Sequence, residues 1–266
     1  MKPIIKIENL CFGYYPDRSI FDNLCLTVIE KEFWAIAGPN GVGKTTLLNL
    51  LCGLLKAKHG RVEVESKNIS AYTARKLAQK IAIVRQEFAP LFDFKVREIV
   101  SMARIPYLGT FGFEQKADYE KIEEAFELTG TSELAARKFG GLSSGERQRV
   151  LIAKALAQDT PILFFDEPTS FLDLKHQVQI YDLLRKMQLE KNKTVLAVTH
   201  DINLAVQYCD KTLLLGEHCI FQYGITEEVL RREQIEKIFN VSIYTSAAEG
   251  KEYFIPVGKY GKKKDV

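Results

Sequence analysis

The sequence has no uninterrupted apolar run near the roughly 20 residues that a membrane-spanning helix needs, so it does not read as a permease. Its N-terminus, MKPIIKIENL, also lacks the long apolar stretch of a signal peptide. The expectation is a cytoplasmic protein that another chain carries to any membrane it serves. Cysteine is sparse: Cys11, Cys25, Cys52, Cys209 and Cys219 form no CxxC pair, and their number is odd. They read as scattered small apolar residues in a reducing compartment, which excludes a disulfide scaffold or cysteine metal site. Neither sign of charge is in large excess, with 37 Lys and Arg against 34 Asp and Glu. A net charge of +3 argues for neither nucleic acid nor an anionic membrane as partner. The one basic run, Lys262 to Lys264, reads as a solvated tail with at most a weak contact to lipid headgroups. Internal repeats and low-complexity segments are absent too, which excludes repeat architectures.

What is present suits a globular fold. The 266 residues are 46% hydrophobic and 27% charged, enough for a large core in one domain with subdomains. PIIKIENLCFGYY, NLCLTVIEKEFWAIAG and HGRVEVES read as strands, and KIAIVRQE as a short buried one. KTTLLNLLCGLL reads as a helix with Leu47, Leu48, Leu50, Leu51 and Leu54 on a broad apolar surface. KVREIVSMAR, YEKIEEAFELTG and SELAARKF read as helices with no strand between them, an insertion over about 88–150. PILFFDEP and TVLAVTHD are apolar runs ending in polar residues, and the helix between them carries Leu174, Val178, Tyr181 and Leu184 on one face. KTLLLGEHCIFQYG reads as a hairpin, followed by a short helical tail and a strand-like EYFIPV. Strand–helix alternation predicts an α/β fold with a mainly parallel sheet, an antiparallel β subdomain and the inserted α-helical subdomain. The expected division is an α/β core with its β subdomain over about 1–87 and 151–225, and a tail over about 226–266.

Gly38-Pro39-Asn40-Gly41-Val42-Gly43-Lys44-Thr45 matches G-x-x-x-x-G-K-[ST] in full. It follows the strand FWAIAG and opens the helix KTTLLNLL, the context that gives the pattern its meaning. The glycines let backbone amides turn inward around a polyphosphate, and the helix start adds partial positive charge. Lys44 can reach the β- and γ-phosphates, Thr45 can bind Mg²⁺, and Thr46 can hold the α-phosphate. The ILFFDE strand ends in Asp166, placed to hold Mg²⁺ beside Thr45, and Glu167 can polarise an attacking water.

A second Gly/Ser turn, LSSGE, opens a charged helix far downstream, with Ser143 and Glu146 at capping-box spacing. Together these segments resemble the ATP-binding cassettes of ABC transporters over nearly the whole chain. GPNGVGKTT is similar to their Walker A loop, Gln86 to the Q-loop and LSSGERQ to the signature. ILFFDEP resembles the Walker B strand, SFLD the D-loop, and VTHD the switch histidine. The resemblance implies a P-loop NTPase with a RecA-like core that hydrolyses ATP with Mg²⁺ held by Thr45, Gln86 and Asp166. It implies Glu167 as base, Gln86 and His200 as sensors of the γ-phosphate, and Tyr14 stacked on adenine, with Tyr15 as its rival. It also implies a head-to-tail homodimer. Ser143, Ser144, Gly145 and Glu146 of one copy would face the ATP of the other, and Asp173 would organise the contact. The commonest family signature is LSGGQ. Here Glu146 takes the place of Gln and Ser144 that of Gly, a side chain where close backbone approach or a positive φ could be needed. His59, His176 and His218 lack motif support and read as surface residues.

One cassette without a membrane span suggests a separate subunit, peripheral on the cytoplasmic face of the cell membrane through its permease. RIPYLG, Arg104 to Gly109, is similar to cassettes that import ferric siderophores, haem or cobalamin, with molybdate or another metal species as the nearest alternative. A periplasmic or surface substrate-binding protein would complete the complex, and no nucleic acid is implied. A soluble non-transport ATPase of this family usually has two cassettes, long coiled coils or a strongly basic surface, none of which occurs here. A P-loop kinase would leave Glu167 and the signature without purpose.

Overall fold

Alternating apolar and polar residues pair the first two strands, β1 (Pro3–Phe12) and β2 (Phe21–Ile29), antiparallel with one face buried. The computed structural model describes residues 2–86, 88–109, 113–170, 172–248 and 250–258. The basic run at 262–264 and Phe171 of the D-loop lie outside them. Next come β3 (Phe33–Ala37), α1 (Lys44–Leu51), β4 (His59–Val64), β5 (Lys67–Asn68), α2 (Ala74–Leu77) and β6 (Ile81–Val84). Helical segments follow: α3 (Val96–Ser101), a 3₁₀ turn over Met102–Tyr107, α4 (Lys116–Thr129) and α5 (Ser144–Ala157). The chain then alternates through β7 (Ile162–Asp166), α6 (Leu174–Lys191), β8 (Thr194–Thr199), α7 (Ile202–Tyr208) and β9 (Lys211–Leu215). It finishes with β10 (Phe221–Ile225), α8 (Thr226–Val229), α9 (Arg232–Phe239), β11 (Ser242–Ala248) and β12 (Lys251–Val257).

The central sheet has the order β10-β9-β3-β8-β7-β6. Its neighbours are parallel except β10 and β9, which form the expected hairpin. Every residue of β3, β7 and β8 is buried, as strands covered on both faces require. Their side chains alternate between two cores. Phe33, Ala35, Leu163, Phe165, Val195 and Ala197 face the helical layer. Trp34, Ile36, Ile162, Phe164, Leu196 and Val198 face α1 and the antiparallel sheet β2-β1-β4-β5. Each such large side chain contributes about 1.5–3 kcal/mol by leaving water.

Several readings from the sequence need correction. The helix read over KTTLLNLLCGLL ends at Leu51, and Leu54 beyond it is exposed, not part of its apolar surface. SELAARKF forms only a single 3₁₀ turn, Ser132–Leu134. On α6, Leu174 is 79% exposed and Val178 is 41% exposed, whereas Ile180, Tyr181, Leu184 and Met187 are buried. Leu174 shares the face of Tyr181 by helical period, so its exposure means that the core ends before the helix begins. The tail strand β12 also has an unforeseen partner, β11. The Asn203 amide fixes this hairpin to α7 by donating to the Phe254 carbonyl (3.0 Å) and accepting from its N–H (2.8 Å). Lys251 Nζ donates to the carbonyls of Val206 and Gln207 at the end of α7.

RIPYLG has a structural task. Arg104 is buried, pairs with Asp118 at 2.8 Å, donates to the Ala157 carbonyl at 2.9 Å and stacks over the Tyr107 ring. Arg75 donates to the carbonyls of Pro106 and Leu108, and Gln79 to that of Pro106. Gln158, just past α5, donates to the carbonyls of Ala78 and Ile81. These bonds tie the end of α5 and the RIPYLG turn to the segment around α2. Burial disfavours the Asp118 anion, but the Gln115 amide and Arg104 outweigh it and hold the carboxyl below its ordinary range. Arg104→Ala would strand that carboxylate in the interior and should destabilise the protein by about 3–5 kcal/mol. Urea denaturation measures this, and a loss under about 1 kcal/mol would mean the pair is surface-like in energy.

Candidate functional site

Because β3, β6, β7 and β8 run parallel, their C-terminal ends share one edge, where ligand crevices of α/β sheets form. The loop Gly38–Gly43 leaves β3 there. Gly38 has φ 148°, and a Cβ on it would meet the Leu215 carbonyl oxygen at 2.2 Å. Gly43 has φ 107°, and its Cβ would meet Ile20 at 2.4 Å. Both positions therefore require glycine. Gly43 caps α1 without a side-chain acceptor, and no acid stands in the first turn, so the opening amides remain available to an anion. Val42 is buried in the core and anchors the loop, while Asn40 and Gly41 are exposed.

Lys44 is buried and its ammonium donates to the carbonyls of Gly38 (2.9 Å) and Pro39 (2.7 Å). Burial pushes its pKa down, against the pull of Glu167 and Asp166. Thr45 Oγ1 donates to Asp166 Oδ1 at 3.1 Å. Burial pushes the Asp166 carboxyl up, the Thr45 hydroxyl lowers it, and the neighbouring Glu167 raises it further. Two hard oxygen donors side by side, one a desolvated carboxyl, suit a hard divalent cation such as Mg²⁺.

Glu167 follows β7 in the left-handed region, φ 52°, a conformation that costs a non-glycine residue energy. Its carboxylate accepts from Gln86 Nε2 (2.9 Å) and Ser170 Oγ (2.8 Å), and also touches His200 Nε2. Gln86 comes from the loop after β6 and His200 from the end of β8, so three parallel strands converge on one carboxylate. A cavity of about 320 Å³ lies over the loop, lined by Tyr14, Tyr15, Asn40, Lys44, Thr46 and Glu167 among others. The Tyr14 ring stands perpendicular to that of Phe12, its hydroxyl lies 3.2 Å from that of Thr46, and Tyr15 is more exposed.

The signature turn lies elsewhere on the surface. Ser143 caps α5 by accepting from the Glu146 amide, and Glu146 accepts from the Ser143 amide and hydroxyl at 2.8 Å. The Ser143 backbone amide above all, then its hydroxyl, holds the Glu146 carboxyl below its usual range, and Arg137 pairs with it at 3.0 Å. Ser144 is not among the residues with positive φ, so it carries no backbone strain there. Asp173 caps α6 by accepting from the His176 amide. Within this chain neither Ser143 nor Asp173 lines the cavity over Lys44.

The family model for ABC transporters matches residues 21–170. The ferric enterobactin transport ATP-binding protein FepC of Escherichia coli (strain K12) is 35% identical, over 96% of this chain and 94% of that one. This chain belongs to the ATP-binding subunits of ABC transporters. The cassette is accordingly an ATP-binding ATPase with the fold expected from its motifs. A solved metal-chelate type ABC transporter, described in an inward-facing conformation, superposes with a TM-score of 0.86 and 32% identity, covering 97% of this chain and 99% of that one. A cassette solved as a dimer, MJ0796, superposes with a TM-score of 0.73 and 30% identity, covering 84% and 98%.

Sequence reasoning missed several residues of the cassette's site. Arg18 and Ile20 line the cavity, and Ser170 bonds to Glu167. Ser170 opens the SFLD segment, whose resemblance gave no hint of this bond; the hint was its place three residues beyond Glu167, an interval that returns a turn onto its start. His176 was read as a surface residue, yet its ring packs on Gly145 and its Nδ1 lies 2.7 Å from Asp173. Lys44→Ala should raise the dissociation constant for ATP at least about tenfold, the scale of a lost hydrogen bond to a charged group. Titration with a fluorescent ATP analogue tests this, and unchanged affinity would remove Lys44 from the phosphate site.

Proposed function

We propose that this cassette energises uptake of a metal chelate of the ferric siderophore, haem or cobalamin class through a separate transmembrane permease. The cargo class is supported by the similarity to FepC, a ferric enterobactin transport protein, and to the metal-chelate type transporter on which this chain superposes. The observation that carries the ATPase assignment is the Glu167 carboxylate, held by Gln86, Ser170 and His200 beside the Lys44 loop. No helix among the described residues is long and apolar enough to cross a membrane. In this reading the cassette sits on the cytoplasmic face of the cell membrane through its permease, with a substrate-binding protein delivering the chelate outside. Nucleic acid has no part in this reading.

In hydrolysis the loop amides and Lys44 hold the phosphates, and Thr46 borders the α-phosphate. Gln86 and His200 orient Glu167 and the attacking water. The water oxygen bonds to the γ-phosphorus as Glu167 takes its proton, and the bond to the β-phosphate oxygen breaks with its electrons leaving on ADP. Thr45, Asp166 and Gln86 would hold Mg²⁺, which supplies charge neutralisation on the phosphates. Tyr14 offers the ring for adenine. In a homodimer, which the dimeric MJ0796 cassette supports, the Ser143–Glu146 turn would face the partner's γ-phosphate, and Asp173 would sit at the contact.

Glu167→Gln should keep ATP binding and lower turnover by at least about a hundredfold, the range for loss of a general base. With ATP this variant should elute as a dimer, and adding Ser143→Arg should return it to a monomer with nucleotide affinity intact. Near-normal turnover in the first variant, or a stable dimer in the second, contradicts the assignment.

The loop from Gln86 to Lys95 supports the permease contact. Phe88 and Phe94 pack partly on the core, whereas Leu91 is 94% exposed and Phe92 is 71% exposed. Exposed apolar groups in one short loop suit a partner surface. Beside Phe88 lies a groove of about 1030 Å³. Leu91→Asp and Phe92→Asp should abolish co-purification with the permease and chelate uptake while sparing ATP hydrolysis by the isolated cassette. Normal uptake in both variants would place the contact elsewhere.

A further inference from the structure

His176 lies outside the six motifs, yet it is where two of them touch. Its backbone amide donates to Asp173 Oδ1 at 2.9 Å, and its Nδ1 lies 2.7 Å from the same oxygen. Opposite a carboxylate that nitrogen is the donor, which fixes the tautomer of the neutral ring. The amide of His176, then its ring, holds the Asp173 carboxyl below its ordinary range. The far edge of the ring meets the first turn of α5. A methyl group on Gly145 would lie 3.3 Å from His176 Cδ2 and 3.6 Å from Nε2, so the ring lies close against the bare Gly145 backbone and a side chain there would crowd it. Behind this contact α5 and α6 part around a cavity of about 160 Å³ lined by Leu128, Arg149 and Leu183 among others. The imidazole thus bridges the two helices at the signature end of the gap.

We infer that His176 is a positioning residue for the half of the site that one cassette offers to its partner. The inference rests on the dimeric ATPase reading above. Asp173 and the Ser143–Gly145 turn would meet the same partner nucleotide, and neither belongs to the sheet edge that aligns Glu167, Gln86 and His200. Their mutual spacing needs its own brace. The imidazole supplies it, bonded to the carboxylate on one side and packed on the bare Gly145 backbone on the other. Both elements then arrive at the partner together. A single-residue cap would order Asp173 alone.

Phe at position 176 keeps a ring against Gly145 but cannot donate to Asp173, and Ala removes both contacts. Hydrolysis against protein concentration, monomer affinity for ATP, and melting temperature should be measured for His176→Phe, His176→Ala, Asp173→Ala and Asp173→Ala/His176→Phe. ATP-dependent dimerisation should be sized in the Glu167→Gln background with and without His176→Phe. We expect His176→Phe to lower kcat about tenfold, the scale of one hydrogen bond to a charged group felt only in the closed dimer. ATP affinity of the monomer and melting temperature should not move. His176→Ala should fall further, and His176→Phe should add nothing to Asp173→Ala, as two residues acting through one link require. Wild-type turnover in His176→Phe, or losses that multiply in the double variant, would overturn the inference. If Glu167→Gln alone forms no dimer with ATP, the dimer reading falls and this inference with it. If Glu167→Gln dimerises equally with and without His176→Phe, the inference alone falls.

Discussion

Parallel pairing sends every strand from β3 to β6 across the sheet to one edge, and the candidate chemistry depends on that constraint. Ala37 stands opposite Thr199, Asp166 opposite Val198, and Val84 opposite Phe165. One residue beyond those pairs the loops deliver Gly38, Glu167, His200 and Arg85, with Gln86 next. A slip of one residue in any pairing would turn buried side chains to the wrong core and carry Glu167 away from its neighbours. The two cores lock the register, because Phe33 and Trp34, or Phe164 and Phe165, have no equivalent place on the opposite face.

That edge gathers charge in a poorly solvated place. Lys44, Asp166 and Glu167 sit together, and burial works against the charged forms of both Lys44 and Asp166. The Lys44 ammonium spends two of its three donors on the carbonyls of Gly38 and Pro39, which aim it into the loop and leave the third for a phosphate oxygen. The left-handed φ of Glu167 belongs to the same economy of position. It turns the carboxylate off the strand axis, where Gln86, Ser170 and His200 reach it.

Much of this was legible in the sequence because local rules and the long-range arrangement agree. The alternating apolar runs, the loop between strand and helix, and the S-x-x-E start of α5 each carry their own physical signature. The buried runs ending in Asp166 and in His200 marked strand ends, and the family resemblance brought Gln86 to the same place. What stayed hidden depends on packing between distant elements. Leu174 and Val178 continue an apolar helical pattern past the point where anything covers them. β11 is a mostly polar, small-residue strand with weak periodicity, and its place comes from pairing with β12, the buried Ile243 and the bond from the Ile243 amide to Glu236 of α9. His176 looked solvated because nothing in its neighbourhood along the chain reveals that Gly145 lies against it.

The bonds at the end of α5 determine what kind of movement the helical layer is allowed. Gln158 is held by the carbonyls of Ala78 and Ile81, and Arg104 binds the carbonyl of Ala157. That end is a fulcrum. The other end, 14 residues away, carries the signature turn, and at 1.5 Å per residue the arm is about 21 Å long. A tilt of about 5° at the fulcrum moves Ser143 by roughly 2 Å, enough to make or break a hydrogen bond. The helix would thus act as a lever, its bonded end kept with the sheet and its signature end, braced on α6 through His176, taking the longer displacement.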